Sequence, residues 1–391
     1  MSKLRVLNGV DILLKEPREI LGSDHLGLIT NPTGVTIGLE STLDVFYDHP
    51  DIKLEAVFGP EHGARGDIQD ALDVSSHVDE RTGLPVYSLY GDHRSPTEDM
   101  LDGLDTLVFD IMDCGGRFYT YVMTLTLCME SAKKNGLKVV VLDRPNPING
   151  VSVEGNILEP DYKSFIGLHL VPNRHGLTMG EYASFINRGI KCNLEAVKMN
   201  NWSRNQWFDE TGLPWVQPSP NMPTLDTATV FPGTCFFEGV NASEGRGTTK
   251  PFEYLGAPYV DSKKWSDRLD GLDLPGLLFR RCYFTPTFWR YKDERCGGVQ
   301  VHVVDRDVFR PVETGLYLLS TLIELHPDDF MFNDPTYDER RHFDLLAGTD
   351  QLRKQLADGL PVDEIMASWE PELSEYMKER EKHLLYGEQT H

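Results

Sequence analysis

A carboxylate in a loop that directly follows an apolar run is a candidate for proton transfer, and the stretch FGPEHGARGDIQD, residues 58–70, holds one. Glu61 and His62 stand between Pro60 and Gly63, with Arg65 close behind. The spacing is not that of a phosphate-binding loop, which ends in Gly-Lys-Ser/Thr, nor of a G-x-G-x-x-G dinucleotide fingerprint. Two readings stand: a polar turn whose Glu61 is a solvated charge, or a glycine-loosened loop holding an acid where chemistry happens. VFDIMDCGGRFYTY places Asp110 inside an apolar run and Asp113 at its exit. A buried Asp is costly unless paired or hydrogen-bonded, so pairing with Arg117 or capping of backbone N–H groups stands beside a catalytic role. Arg117, Tyr119 and Tyr121 suit a sugar, because a guanidinium grips carboxylate bidentately and a tyrosine face stacks on C–H surface.

Three further loops carry similar chemistry. VLDRPNPING sets Asp143, Arg144 and Asn146 among prolines, which fits a structural corner or a preorganised binding edge. VPNRHG offers Arg174 and His175, where a lone histidine is commonly structural. SEGRGTTKPFE gathers Glu244, Arg246, Thr248 and Lys250 among glycines, the make-up of an anion-gripping lid or of a mobile surface loop. No HExxH, EF-hand loop or Cys/His cluster is present. Neither a metal nor a cofactor is expected.

These loops need a frame, and the first half of the chain supplies one. Apolar runs HLGLIT, IKLEAVF, LPVYSLY, DTLVFDI, LKVVVL and LEAVKM alternate with helical patterns such as YVMTLTLCMESAKKNG and LTMGEYASFINRG. Ser95 with Glu98, and Thr178 with Glu181, have capping-box spacing. Continuous apolar strands alternating with amphipathic helices predict an α/β fold, a Rossmann-like doubly wound parallel sheet. In such sheets ligands bind beyond the carboxyl ends of the strands. Asn31, Glu61 with His62, Asp110 with Asp113, and Asp143 with Arg144 follow those runs, so separate loops converge on one edge. From Trp202 to Tyr259 periodicity dissolves into Pro, Gly, Asn, Ser and Thr, and the aromatics there argue for an ordered loop lining a cleft. Beyond it, GGVQVHVVD reads as an alternating strand and PVETGLYLLSTLIELHP as a helix, with a largely helical tail. The expected division is residues 1–220, the Rossmann-like domain, and residues 221–391, a smaller α+β domain, with the active-site cleft between them.

Bulk composition sets the partners. The 391 residues carry a net charge of −23, which repels nucleic acid and anionic membranes at long range. An anionic ligand then requires local arginines. Six scattered cysteines without a CxxC pair read as reduced thiols of a cytoplasmic protein. No apolar run approaches the ~20 residues of a membrane span, and no signal-peptide h-region precedes Asp11.

Taken in order, GLITNPTGV, FGPEHGARGDIQ, GLPVYSLYG, VFDIMDCGGRFYTY, VLDRPNPING, NRHGLTMGEYA, PSPNMPT and SEGRGTTKPFE resemble the exo-β-N-acetylmuramidases of the NamZ type. The likeness runs from about Gly27 to the HLLY near the end. It implies a Rossmann-like domain without a dinucleotide, a smaller second domain, and removal of terminal N-acetylmuramic acid from the non-reducing end of peptidoglycan fragments. It implies Glu61 as leading catalytic acid and Tyr87 as its companion, with Tyr90 the near alternative, and it brings Asn221 of PSPNMPT into the site. MDCGGR departs from the family pattern, which has Gln before Asp113 and Val at 114. The sugar's lactyl carboxylate would then be held by Arg117, Arg144, Arg174 and Arg246. Glycoside cleavage commonly uses two carboxyl groups; beside Glu61 the partner is Asp110, Asp113, Glu244, or Tyr87 in a tyrosine role. A non-catalytic binder of muropeptides or acidic sugars on the same scaffold is the alternative.

Overall fold

The computed structural model describes residues 4–22, 25–66, 76–91, 93–335 and 339–387; Asp67, Gln69 and Asp70 of the opening loop lie outside them. Seven strands form the first sheet: β1 (Leu26–Thr30), β2 (Leu54–Gly59), β3 (His77–Val78), β4 (Pro85–Ser88), β5 (Thr106–Asp110), β6 (Lys138–Leu142) and β7 (Asn193–Val197). Their order is β3-β4-β2-β1-β5-β6-β7. All neighbours run parallel except β3 with β4. β1 and β5 are buried throughout, as strands covered by helices on both faces must be. Helices Tyr121–Asn135 and Met179–Ile190 cover one face with Ile29, Phe58 and Phe109, while Thr42–Asp48 packs on the other with Leu28 and Val57.

The chain leaves β1 toward β2 on one side and returns to β5 on the other, so the order reverses between β1 and β5. Ligands bind at that reversal in open α/β sheets. The loop after β5 leads into helix Tyr121–Asn135, which ends at Gly136 in the left-handed region at φ 74°.

A second, three-stranded antiparallel sheet contains β8 (Tyr254–Ala257), β9 (Leu277–Phe284) and β10 (Cys296–Val303) in the order β8-β10-β9. Helices Ser262–Asp270 and Pro311–Leu325 pack with it through Trp265, Leu316 and Leu319. The last long helix, Val362–Glu381, buries Ile365 and Trp369 in this second core and Tyr376 in the first. The Tyr376 hydroxyl donates to the His175 carbonyl at 2.8 Å, so the end of the chain ties the two units together.

Three sequence expectations change. The cap near residue 97 is Thr97 rather than Ser95, its Oγ1 accepting from the Met100 N–H. Strand β10 does not alternate; its first six residues are buried because β8 and β9 flank it and helices cover it. The stretch from Trp202 to Tyr259 is not loop alone. It contains helix Leu225–Thr234 and the 3-10 turn Cys235–Gly239. That helix is buried on every side from Thr227 to Thr234, so it has no polar face and no 3.6-residue pattern to read. Its sequence signal is Thr224, whose Oγ1 accepts from the Thr227 N–H.

Candidate functional site

Glu61 is set by backbone geometry. β2 ends at Gly59, and the chain reverses in a turn closed by the Gly63 N–H donating to the Pro60 carbonyl at 2.9 Å. His62 and Gly63 both lie in the left-handed region, at φ 74° and 77°, a conformation glycine adopts freely and histidine more readily than bulky residues. A side chain on Gly59 would sit 2.7 Å from the Ala64 nitrogen. The glycines therefore fold the loop back on the strand and leave Glu61 at the rim. Its Oε2 accepts from Thr120 Oγ1 at 3.2 Å, and Thr120 is the N-cap of helix Tyr121–Asn135.

Glu61 opens into a cleft of about 400 Å³, within the roughly 300–1,000 Å³ typical of small-ligand sites. The sheet side contributes His62, Tyr90, Tyr119, Thr120 and Tyr121. The far wall comes from the second unit and carries Glu238, Arg246 and His342. Ser219 and Asn221 bridge them, over a floor that includes Phe118, Phe231 and Phe252. The aromatic floor is interlocked: Phe231 meets Phe118, Tyr119 and Phe252 edge-on at 5.3, 5.7 and 4.8 Å.

Tyr121 donates its hydroxyl hydrogen to the Pro218 carbonyl at 2.5 Å. Burial pushes that hydroxyl well above its ordinary range; the Asn31 side chain opposes this and the Glu61 charge adds to it. On the far wall Arg246 donates to Glu238 at 2.7 Å and to Glu244 at 3.2 Å, and its guanidinium lies 4.9 Å from the Phe252 ring centre. His342 approaches the other Glu238 oxygen at 3.5 Å. Burial would raise the Glu238 carboxyl, but Arg246 and His342 outweigh it and hold it at about 2. Glu244, fully buried behind Arg246, is raised by burial despite that neighbour. Glu238, its carboxyl held low by Arg246 and His342, thus lines the same cleft as Glu61.

The sign of the Glu238 shift gives a prediction. A folded value below the ordinary 4.5 means stability fully present above 4.5 and lost as pH falls toward about 2. The Tm difference between wild type and Glu238→Gln should shrink as pH falls from 4.5 toward 2. A difference that grows on acidification would remove the pair from this role.

Of the residues singled out by sequence, Glu61, His62, Tyr90, Tyr119, Tyr121, Asn221 and Arg246 line the cleft. Others are placed elsewhere, and their roles are corrected. Asp110 is fully buried, gripped by Arg144 at 2.5 and 2.8 Å and by the Thr42 hydroxyl at 2.5 Å. This removes Asp110 as a catalytic partner and Arg144 as a substrate ligand, and Arg117 is not the partner of Asp110. Arg117 instead donates to the carbonyls of Asn156, Val171, Leu346 and Ala347, stapling the two units. Arg174 pairs with Glu154 at 2.9 Å and also bonds the Ile148 carbonyl. Arg65 bridges Asp44 and Asp79.

Asn146 and Asn31 are turn-makers: Asn146 accepts from the Ile148 N–H and donates to the Leu177 carbonyl, and Asn31 accepts from Thr33. Asp113 and His175 face each other in the interior at 3.9 Å, and burial raises the Asp113 carboxyl against the pull of His175. Thr248 bonds within its own turn and Lys250 pairs with Glu253 at 2.9 Å. Tyr87 packs on Phe58, ring centres 5.5 Å apart, while Tyr90 reaches the cleft. For Arg117 and Arg174 the cause is that loop carbonyls need donors, and the five N–H groups of an arginine supply them.

Glu238, His342 and the aromatic pair Phe288 and Trp289 line the cleft without having been expected. Among the described residues, Arg246 is the only arginine on its walls, and no group of three or more His, Cys, Asp or Glu could hold a metal ion.

Comparison with known proteins gives a consistent picture. A solved DUF1343-family protein of Bacteroides fragilis superposes with a TM-score of 0.91 at 37% identity, covering 98% of this chain and 99% of that one. A second, from the same organism, gives 0.77 at 29% identity, covering 99% and 100%. The peptidoglycan β-N-acetylmuramidase NamZ of Bacillus subtilis is 49% identical over 387 residues, 98% of this chain and 92% of that protein. The family models for the N- and C-terminal domains of exo-β-N-acetylmuramidase NamZ match residues 26–226 and 229–386. With both family domains present in order around one acidic, aromatic-floored cleft, the chain belongs to the NamZ exo-β-N-acetylmuramidase family.

Proposed function

We propose that this protein is an exo-acting β-N-acetylmuramidase that removes terminal N-acetylmuramic acid from the non-reducing end of small peptidoglycan-derived saccharides. One observation carries the reading: Glu61 and an ionised Glu238 line the same cleft, with Arg246 on its wall. The family membership supports it. The units 1–220 and 221–391 contribute opposite walls.

Glycoside cleavage needs a proton for the departing oxygen and negative charge beside the anomeric carbon as it becomes oxocarbenium-like. Glu61 supplies the proton to the glycosidic oxygen as general acid. Glu238, anchored by Arg246 and His342, supplies the negative charge on the other side. Arg246 brings the positive charge that the lactyl carboxylate needs in a protein of net charge −23. Tyr90, Tyr119 and Asn221 contact the sugar. Water completes the reaction, adding hydroxyl to the anomeric carbon and restoring the proton to the acid.

The test is incubation with the disaccharide of N-acetylmuramic acid β-linked to N-acetylglucosamine, and with longer glycan fragments. Equimolar release of the two sugars from the disaccharide, and of N-acetylmuramic acid alone at first from longer chains, is expected. Saturable binding by calorimetry with no new reducing ends would replace the enzyme by a binder.

A further inference from the structure

The cleft is closed at its floor and open at its mouth, and its aromatic residues differ sharply between the two. On the floor, Phe118, Phe231 and Phe252 are 4%, 5% and 1% exposed. At the mouth, Phe288 and Trp289 are 41% and 58% exposed. Both belong to the connection between β9 and β10, residues 285–295, and both line the cleft that holds Glu61 and Glu238. An enzyme that removes a terminal sugar seats that sugar at the closed end, so the rest of the chain emerges past the mouth. A large, flat, apolar side chain standing in water there has one evident use for carbohydrate: its face stacks on the C–H face of a pyranose.

The hairpin that presents the pair is held firmly. Trp289, Tyr291 and Asp293 all lie in the left-handed region, at φ 68°, 57° and 63°, which is uncommon for bulky residues and persists only where surrounding contacts impose it. Those contacts are present. Thr287 donates to the Gly247 carbonyl through its N–H at 2.9 Å and its hydroxyl at 3.0 Å. A side chain on Gly247 would come within 2.5 Å of the Phe288 carbonyl oxygen, so only glycine admits this approach. Arg290 donates to Asn333 at 3.3 Å and to the Glu238 carbonyl at 3.5 Å, and the Tyr291 hydroxyl to the Asn241 carbonyl at 2.5 Å. The rim is thereby wired to the segment bearing Glu238 and to the loop bearing Arg246, the polar wall of the cleft.

We propose that Trp289, assisted by Phe288, is the aglycone platform: it stacks on the sugar that follows the scissile bond and so sets the preference for saccharide over small leaving groups. This rests on the muramidase reading above. The role is specificity-determining, since Trp289 acts on the leaving sugar and takes no part in proton transfer.

The experiment compares wild type, Trp289→Ala and Trp289→Phe on two substrates: the N-acetylmuramyl–N-acetylglucosamine disaccharide, and methyl β-N-acetylmuramide, which has no ring beyond the scissile bond. Expected for Trp289→Ala is a KM about tenfold higher on the disaccharide, with kcat and the KM for the methyl glycoside within about twofold of wild type. Trp289→Phe, which keeps an aromatic face, should recover most of the loss. Equal KM increases on both substrates, or none on either, would overturn the platform while leaving the muramidase intact. A wild-type protein that cleaves neither substrate would instead overturn the muramidase reading and the platform with it.

Discussion

Glu61→Gln should reduce release of N-acetylmuramic acid from the disaccharide about a thousandfold, within the 10²–10⁴ range of a lost general acid, with the Tm unchanged. Gln keeps the size of the side chain and can still take the hydrogen bond from Thr120 that Glu61 Oε2 takes now, but it has no proton to give. The leaving group separates this role from others. N-acetylglucosamine departs as a poor alkoxide and needs protonation, whereas nitrophenolate departs readily without it. The loss on a nitrophenyl N-acetylmuramide should therefore be at least about tenfold smaller than on the disaccharide. Equal losses on both would make Glu61 the group that attacks the anomeric carbon rather than the acid, and near wild-type turnover on the disaccharide would remove it from the chemistry.

Arg144→Met should cost about 3–5 kcal/mol of unfolding free energy, measured by urea denaturation, because it strands a charge in the interior. Asp110 is fully buried, and with Arg144 gone its remaining side-chain partner is the Thr42 hydroxyl. Activity per folded molecule should stay within about threefold of wild type, since neither residue lines the cleft. The double variant Asp110→Leu with Arg144→Met removes both charges and should lose clearly less than the sum of the single variants. A stable Arg144→Met protein with a sharply raised KM would return Arg144 to the substrate.

That contrast shows how far the sequence carries. Glu61 is legible because topology alone places the end of a parallel strand at the ligand edge, and β2 ends two residues before it. The strands are legible for a related reason: burial on both faces leaves an unbroken apolar run in each. The arginines are not. Arg117, Arg144 and Arg174 sit in the same glycine- and proline-rich loops as substrate-binding arginines would, but those loops expose carbonyls and acids that need donors inside the fold. A string of residue types does not say whether a guanidinium turns toward its own backbone or toward a ligand.

Glu238 was missed for a different reason. It follows a helix buried on all sides, so no amphipathic pattern marks its surroundings, and only folding brings it next to Arg246 and His342. Its one local signal is an acid directly after the apolar run CFF, in residues 235–238. Trp289 has a sequence signal, the aromatic pair in TFWRY within a polar hairpin loop.

The most direct test of the whole account is a crystal structure of Glu61→Gln bound to the uncleaved disaccharide. The account predicts the glycosidic oxygen about 2.6–3.2 Å from the residue-61 amide, the lactyl carboxylate against Arg246, and the second sugar across Trp289. A disaccharide seated away from residue 61, or one with its acidic sugar at the mouth and its neutral sugar on the aromatic floor, would contradict it.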